Sequence, residues 1–358
     1  MRILVAGDRG YIGAVLVPML RTAGHDVDGL DIGLYERCDL LDGPVPTTSA
    51  PRDVRAVNAD LLAGYDAVIC LAALSNDPLG HLNRATTFSV NLDGTLQLAT
   101  AAKAAGVSRF LFASSCSLYG TAGSSAVAED APMHPVTPYG ETKAVAEERL
   151  SALADDDFSP TYLRNATAYG VSPRLRSDIV VNDLTGLAVT TGAIELLSDG
   201  TPWRPLVHVA DISRSFLAML EAPRELVHDK AFNVGRAQDN VQVRDIAELV
   251  RDAVPGSTVT FSSDAAPDLR DYRVDFGKLA DTFPELELSC TIQGGITELV
   301  DAYLAHGMTY QELRSPRFVR LGRIRQLLRL GLLDEELRRT TDDTFPVPAE
   351  ELTDEAAR

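Results

Sequence analysis

Tyr139 and Lys143 are the two residues of this sequence best suited to proton transfer. They lie four positions apart in the segment YGETK, so on a helix both side chains occupy one face. A tyrosine with its ordinary pKa of about 10 is a poor base at neutral pH. An adjacent ammonium favours the phenolate, and the spacing therefore predicts a tyrosine that can take a proton from a hydroxyl group.

Four protic side chains occur earlier in the chain, in the segment RFLFASSCSLYG. Its apolar first half is typical of a strand buried on both faces, and the run then ends in Ser114, Ser115, Cys116 and Ser117. Ligands bind at the carboxyl ends of the strands of a parallel sheet. We therefore expect at least one of these side chains to face a ligand.

Alternating strands and helices must position these groups. Short continuous apolar runs such as RILVAG and RFLFASS alternate with longer helical stretches over the first two thirds of the chain. This pattern is typical of an α/β protein with a doubly wound parallel sheet, a Rossmann-like fold. Residues 1–166, with returning strands from about 205–235, are predicted to form that domain. Residues 167–305 are predicted to form a smaller interleaved lobe, and residues 306–358 a basic amphipathic helical extension with a mobile acidic tail.

Gly7, Gly10 and Gly13 lie between the first predicted strand and the first predicted helix. Glycines in this order let a pyrophosphate approach the backbone N–H groups at a helix N-terminus. Asp31 ends the second predicted strand, where a carboxylate can bind the adenosine ribose hydroxyls, and Asp28 is the alternative. Because an acid there repels a 2′-phosphate, the pattern predicts NAD rather than NADP as the cofactor.

Composition argues against several other classes of protein. The chain has 33 basic and 51 acidic residues and a formal net charge of −18, which disfavours nucleic-acid binding. The four cysteines are scattered, so neither a metal site nor a disulfide framework is expected. The chain enters a strand at its first residues, without room for a signal peptide, and no apolar run approaches the roughly 20 residues of a membrane span. A cytoplasmic protein without a membrane partner is expected.

Five motifs together resemble the extended short-chain dehydrogenase/reductase family. GDRGYIG, DVR, LAALSNDP, SSCSLYG and YGETK occur in that family's order, and the likeness covers about residues 1–305. More narrowly, the chain looks like the nucleotide-sugar epimerases and dehydratases of the family. This resemblance implies a bound NAD, a nucleotide-diphosphate sugar as substrate and a homodimer. The NAD contacts expected from the motifs and the resemblance are Gly7, Gly10, Tyr11, Ile12, Gly13, Asp31, Asp53, Val54, Leu71, Ala72, Ala73, Tyr139 and Lys143.

The same resemblance assigns roles to the protic groups. Ser115 matches the catalytic serine or threonine of the family, which shares a hydrogen bond with the substrate hydroxyl that Tyr139 deprotonates. Lys143 holds the cofactor ribose and the phenolate, whereas Ser114 caps or packs. Asn91 matches an asparagine that helps to hold the active-site helix.

Cys116 and Ser117 bear on which reaction is expected. Family members that eliminate water from C5 and C6 carry an adjacent Asp and Glu at these two positions, and relatives that invert C3 or C5 carry a cysteine at the position of Ser117. Without the acidic pair, epimerisation through a transient ketosugar at C4 is the first choice. Elimination, decarboxylation and C3 or C5 inversion remain open, and Cys116 is either a buried packing residue or an acid–base thiol.

Contacts to the sugar nucleotide are expected from Ser75, Asn165, Asn182, Arg204 and Arg270. The two arginines are candidates for a diphosphate clamp, because guanidinium groups bind phosphate oxygens bidentately. The segment RNATAYGV departs from the family pattern R-x-x-N-x-Y-G-P at Thr167 and Val171. This departure concerns the contacts on the sugar side.

A protein of another class could use the same fold: a non-catalytic protein that senses NAD. Such proteins share the glycine loop but usually lack the tyrosine–lysine pair. Tyr139 and Lys143 therefore favour the enzyme.

Overall fold

A six-stranded parallel sheet forms the centre of the computed structural model, which describes residues 1–40, 51–75, 83–120, 125–196, 198–261, 271–341 and 345. Its strands are β1 (Arg2–Ala6), β2 (Asp26–Leu30), β3 (Ala67–Cys70), β4 (Arg109–Ser115), β6 (Ser159–Asn165) and β10 (Lys230–Val234). Their spatial order is β10-β6-β4-β3-β1-β2, and every neighbouring pair is parallel. The chain runs outward in opposite directions from β1 and β3, so the carboxyl ends of these strands form a topological switch point. The predicted fold class is confirmed.

Helices cover both faces of this sheet. The α-helices of the described residues are α1 (Gly13–Thr22), α2 (Arg84–Phe88), α3 (Gly94–Ala104), α4 (Pro138–Ser151), α5 (Val180–Thr191), α6 (Val209–Glu221), α7 (Arg224–Val227), α8 (Val243–Ala253), α9 (Gly277–Thr282), α10 (Ile292–His306), α11 (Tyr310–Leu313) and α12 (Arg320–Arg329). Within the described ranges, none of them is long and apolar enough to cross a bilayer. Those packed against the central sheet include α1, α3, α4 and α6.

Successive residues of the central strands enter two different cores. Ile3 and Val5 of β1 pack in the core that contains α1 and α6, whereas Leu4 and Ala6 pack in the core that contains α3 and α4. Both sides of β1 are therefore dry, which explains why residues 3–6 of β1 and 67–70 of the neighbouring β3 are apolar at every position rather than at alternate positions.

Smaller sheets and a third core lie beyond the central sheet. The strands are β5 (Ala126–Val127), β7 (Thr167–Tyr169), β8 (Ala193–Leu196), β9 (Trp203–His208), β11 (Asn240–Gln242), β12 (Thr258–Phe261) and β13 (Arg273–Val274). They form the sheets β11-β9-β7, β12-β8 and β13-β5, and the third core draws its apolar residues from α5, α8 and α10. In the range from about 205 to 235, β10 joins the central sheet whereas β9 does not. The division into an NAD-binding domain and a substrate-binding lobe stays a prediction.

The basic amphipathic helix expected in the C-terminal extension corresponds to the segment SPRFVRLGRIRQLLRLGLL, residues 315–333, and the structure differs from that expectation. Only Arg320–Arg329 is α-helical, and two of its arginines are buried rather than solvated. Arg320 stacks on the ring of Tyr35 at 3.9 Å, and Arg323 Nε donates to the carbonyl oxygen of Leu34 at 3.2 Å. The mobile acidic tail is predicted to begin after Leu337. Residues 338–341 are nevertheless described, and Arg339 Nη1 donates to the carbonyl oxygen of Ile32 at 2.8 Å. Of the rest, only Phe345 is among the described residues.

A buried ion pair joins α4 to β6. The Glu147 carboxylate accepts hydrogen bonds from Arg164 Nε at 3.1 Å and Nη2 at 2.7 Å, and both side chains are almost completely buried. Ser114 Oγ donates to the same carboxylate, and Arg164 Nη1 donates to the Tyr119 hydroxyl at 2.8 Å. The helix that carries Tyr139 is thus fixed to the strands beneath it.

Replacing Glu147 by Gln should lower the free energy of unfolding by about 3–5 kcal/mol, because Arg164 would stay charged and unpaired in the core. The matched control is Glu141→Gln on the same helix, whose ion pair with Arg84 is exposed. That change should cost less than about 1 kcal/mol. Urea unfolding followed by circular dichroism compares the two variants, and equal losses would contradict a structural role for the buried pair.

Candidate active site

One cleft of about 890 Å³ opens at the carboxyl ends of the central strands, at the switch point. It brings together most of the predicted site residues: Gly7, Gly10, Tyr11, Ile12, Gly13, Asp31, Asp53, Val54, Leu71, Ala72, Ala73, Ser75, Ser115, Ser117, Tyr139, Lys143, Asn165 and Arg204. Cys116 and Asn182 do not line it, and Arg270 lies outside the described residues.

The glycine loop fits a dinucleotide. A Cβ on Gly13 would lie 2.2 Å from the carbonyl oxygen of Gly7, so only glycine lets α1 begin this close to the end of β1. No side chain caps the N-terminus of α1, and its first turn carries no acid. The helix therefore offers unblocked N–H groups and the positive end of its dipole, as a pyrophosphate requires.

Asp31, rather than Asp28, faces the cleft. Asp31 accepts a hydrogen bond from the Gly33 N–H at 2.7 Å, and burial raises the pKa of its carboxyl. Asp28 instead accepts hydrogen bonds from the Tyr65 hydroxyl at 2.6 Å and from Arg2 at 3.2 Å. A carboxylate at the end of β2 is the arrangement that favours NAD over NADP.

Asp8, in the glycine loop, is a second buried acid beside Asp31, which sequence reasoning missed. It is 3% exposed, and the structure gives no hydrogen-bond partner to its Oδ1. Burial, together with the charge of Asp31, raises the pKa of Asp8 to about 7, although Arg9 and Arg21 oppose the shift. Asp8 therefore changes charge near neutral pH.

Replacing Asp8 by Asn should stabilise the protein in a pH-dependent way. Because its folded pKa lies above the unfolded value of 3.8, the unfolded chain releases the Asp8 proton first, and wild-type stability falls as pH rises from about 4 to 7. The gain from the variant should grow over that window to at most about 4 kcal/mol and then level off. Urea unfolding at pH 4, 5.5, 7 and 8 measures it. Asp26→Asn removes the same charge at an exposed site, and an identical pH profile for both variants would refute the assignment.

Local sequence signals place Tyr139 and Lys143 on the cleft wall. Thr137 caps α4 by accepting from the Gly140 N–H at 3.2 Å, and Pro138 occupies the first helical turn. Lys143 Nζ lies 5.6 Å from the centre of the Tyr139 ring and donates to the carbonyl oxygen of Ala113 at 2.7 Å. The lysine is 2% exposed, and burial lowers its pKa to about 8. Such a group can both hold a proton and release it near neutral pH.

Ser115 and Ser117 form one hydroxyl pair opposite α4. Ser117 Oγ donates to Ser115 Oγ at 2.8 Å, and the Ser117 N–H donates to the same oxygen at 3.2 Å. Ser115 accepts both bonds, so its own proton can be donated to a ligand oxygen. A Cβ on Gly140 would lie 2.8 Å from the Ser117 carbonyl oxygen, which shows how closely α4 approaches the hydroxyl pair.

Asn91 connects this helix to the segment after β3. It lies in a π-helical turn, Ser89–Asp93, a rare geometry that is frequent at functional sites. Its Oδ1 accepts from the Leu74 N–H at 2.7 Å, and its Nδ2 donates to Thr142 Oγ1 at 3.4 Å. Thr142 in turn donates to the Tyr139 carbonyl oxygen at 2.7 Å, so Asn91 helps to hold the active-site helix.

Cys116 and Asn182 are placed away from the cleft. The Cys116 thiol is fully buried, donates to the Arg164 carbonyl oxygen at 3.1 Å, and has its pKa raised by burial. It packs in the core, and this geometry does not support an acid–base thiol. Asn182 accepts from the Gly170 N–H at 3.0 Å and donates to the Arg176 carbonyl oxygen at 2.9 Å. It stabilises the loop after β7, and the structure does not place it for substrate contact.

Arg176 lines the cleft although sequence reasoning did not select it. Its Nη1 donates to Ser75 Oγ at 3.0 Å, and its Nε pairs with Asp178 at 2.9 Å. It is one of two arginines in the segment SPRLRSD, and the sequence gives no sign that it is not an exposed surface charge. Its burial in the folded structure shows that it is not one. Arg176 and Arg204 of β9 are both almost completely buried and line the cleft, and their guanidinium groups are suited to an anionic ligand.

Comparison with known proteins assigns the family. The model of the NAD dependent epimerase/dehydratase family matches residues 3–235, more than half of the chain. The chain belongs to this family, and it is an NAD-dependent enzyme of the nucleotide-sugar epimerase and dehydratase kind.

Individual relatives agree with this assignment. UDP-glucose 4-epimerase from Bacillus subtilis is 29% identical over 315 residues, covering 74% of this chain and 89% of the relative. MoeE5, solved with UDP-glucuronic acid and NAD, is 26% identical with a TM-score of 0.73, over 85% of this chain and 99% of MoeE5. TunA, an NAD-dependent NDP-hexosamine 5,6-dehydratase, is 22% identical with a TM-score of 0.75 over 85% of this chain and 98% of TunA, and shows the shared fold alone.

Proposed function

We propose that this enzyme inverts C4 of a UDP-linked hexose or hexuronate through a transient 4-ketosugar. The observation that carries the proposal is that Tyr139, Lys143 and Ser115 line the same cleft as the glycine loop. The Bacillus subtilis relative is a UDP-glucose 4-epimerase, and MoeE5 is solved with UDP-glucose as well as with UDP-glucuronic acid. These names support a UDP-sugar as the substrate.

Tyr139, Ser115 and Lys143 have different roles in the oxidation of the sugar. Bound NAD would accept a hydride from the sugar carbon and return it. Tyr139 takes the proton of the C4 hydroxyl, and Ser115 orients that hydroxyl through the proton that it can donate. The buried Lys143 ammonium stabilises the phenolate. Inversion then requires that the ketosugar turn its other face toward the hydride donor before reduction.

Buried polar groups can hold the rest of the sugar nucleotide. Asn165 lines the cleft, and its Oδ1 is buried with no hydrogen-bond partner in the described structure, so it can accept from a sugar hydroxyl. Arg204 and Arg176 are the described guanidinium groups that we assign to the diphosphate. For Arg204 this is the role expected from the sequence, whereas Arg176 is added by the fold.

Elimination is the less favoured reaction of this cleft. In the family pattern an adjacent acid pair serves the elimination of water, and here the two positions hold a thiol and a hydroxyl. The thiol of Cys116 is buried in the core, and Ser117 is paired with Ser115. Epimerisation needs no acid or base beyond Tyr139, which is why we place it first.

Tyr139→Phe should lower kcat by about 10²–10⁴-fold, because no other group replaces the phenolate as the base. NAD bound by the variant, released by heat and quantified by absorbance, should match the wild type. Tyr65→Phe removes a hydroxyl that bonds Asp28 outside the cleft and should leave kcat unchanged. Full turnover by Tyr139→Phe would exclude Tyr139 as the base.

Incubation with a panel of UDP-hexoses and UDP-hexuronates in heavy water, without added NAD, tests the reaction itself. Hydride return at C4 should give the C4 epimer without solvent deuterium, as nuclear magnetic resonance and mass spectrometry would show. Deuterium at C3 or C5 would point to enolisation. A mass loss of water or of carbon dioxide would instead establish a dehydratase or a decarboxylase.

The assembly and the location of the enzyme are also part of the proposal. We expect a homodimer, as the family resemblance implies, and a location in the cytoplasm. Light scattering coupled to size exclusion would measure the first, and cell fractionation the second.

A further inference from the structure

The segment after α12 folds into a defined loop. We name residues 332–341 the strap. Leu333 and Arg339 form an antiparallel bridge, and Arg338 accepts through its carbonyl oxygen from the Asp334 N–H at 3.0 Å. Asp334 Oδ1 accepts in turn from the N–H groups of Glu336 and Arg338 at 3.0 and 2.8 Å. The strap therefore has a backbone conformation that can present a particular side chain.

Hydrogen bonds tie the strap to both sides of the adenosine end of the cleft. They run from Arg55 Nη1 to the Glu336 carbonyl oxygen (2.8 Å), from Thr86 Oγ1 to the Glu335 carbonyl oxygen (3.3 Å) and from Arg339 Nη1 to the Ile32 carbonyl oxygen (2.8 Å). Ile32 follows Asp31, and Arg55 forms an ion pair with Asp53 at 2.6 Å. The strap is thus anchored beside Asp31, the acid expected at the ribose, and beside Asp53. By the family resemblance, the acid–hydrophobic pair Asp53–Val54 matches the pair that lies against the adenine of NAD.

Leu337 is held in a strained conformation that directs it inward. Its φ is +59°, in the left-handed region that residues with a Cβ rarely adopt. Strain of this kind persists where the surrounding structure enforces it. The Leu337 side chain is 6% exposed, packs with Leu34 and Leu74, and lines the cleft together with Val54.

We propose that Leu337 closes the adenine subsite and that the strap retains NAD between turnovers. Adenine bound at Asp53–Val54 would contact an apolar side chain from each side of the cleft end, Val54 and Leu337. The family model ends at residue 235, so the strap lies outside the part that it describes. The inference depends on the NAD site alone and not on which reaction follows.

The test is the rate at which the full-length protein releases NADH. Protein loaded with NADH is mixed with excess NAD, and the loss of bound NADH fluorescence is followed by stopped flow. Leu337→Gly should release NADH about 10–100-fold faster than the wild type, because it removes a buried leucine side chain from the subsite. Glycine tolerates the left-handed backbone, so the fold of the strap is retained.

The control is Leu330→Ala, an exposed leucine of the same extension outside the cleft, which should release NADH at the wild-type rate. Arg339→Ala is a second variant that weakens the tie to Ile32 without changing a cleft-lining residue, and it should also accelerate release.

Hydrogen exchange is the second measurement, and bound NAD should slow the exchange of the amide hydrogens of residues 332–341. Release within two-fold of the wild type by both Leu337→Gly and Arg339→Ala, or no protection of these amides by NAD, would overturn the proposal. The NADH release experiment needs no sugar substrate, so its outcome can be interpreted even if the protein shows no epimerase activity.

Discussion

The close approach of α4 to the end of β4 is the constraint on which the cleft depends. At one end of α4, Gly140 lies so near the Ser117 carbonyl oxygen that no side chain would fit between them. At the other end, Glu147 is tied to Arg164 of β6 and to Ser114 of β4. These two contacts fix the position of the helix against the strands, and in this position Tyr139 and Lys143 line the same cleft as Ser115.

Burial gives these groups their chemistry. Lys143 is almost completely buried, and the low polarity around it lowers its pKa to about 8. The same effect raises the pKa of Asp8, in the glycine loop, to about 7. The exclusion of water thus changes the pKa values of Lys143 and Asp8 from those that the residue types alone would give.

The C-terminal extension packs against the main body of the protein, beside the residues that follow β2. Arg320 stacks on the Tyr35 ring and Arg323 donates to the Leu34 carbonyl oxygen, and both of these partners lie just after β2. Their charges are offset by carbonyl oxygens and by the aromatic face rather than by water. The extension therefore brings Leu337 to the part of the cleft that we assign to the adenosine, while Asn165 and Arg204 line the same cleft and are the residues that we assign to the sugar nucleotide.

The sequence by itself determined the fold class, the glycine loop, NAD as the cofactor and the position of Tyr139 and Lys143 on one face of a capped helix. These features depend on local order along the chain: continuous apolar strands, glycines at a turn, and Thr137 followed by Pro138 at the start of a helix. Tertiary structure alone decided that Cys116 and Asn182 turn away from the cleft while Arg176 turns into it. It also decided that Leu337 lines the same cleft as Val54, 283 residues earlier in the chain. The physical reason is that the packing of elements distant in sequence determines whether a side chain is buried and which way it points. The identity of a single arginine, cysteine or leucine does not reveal which distant residues it will contact.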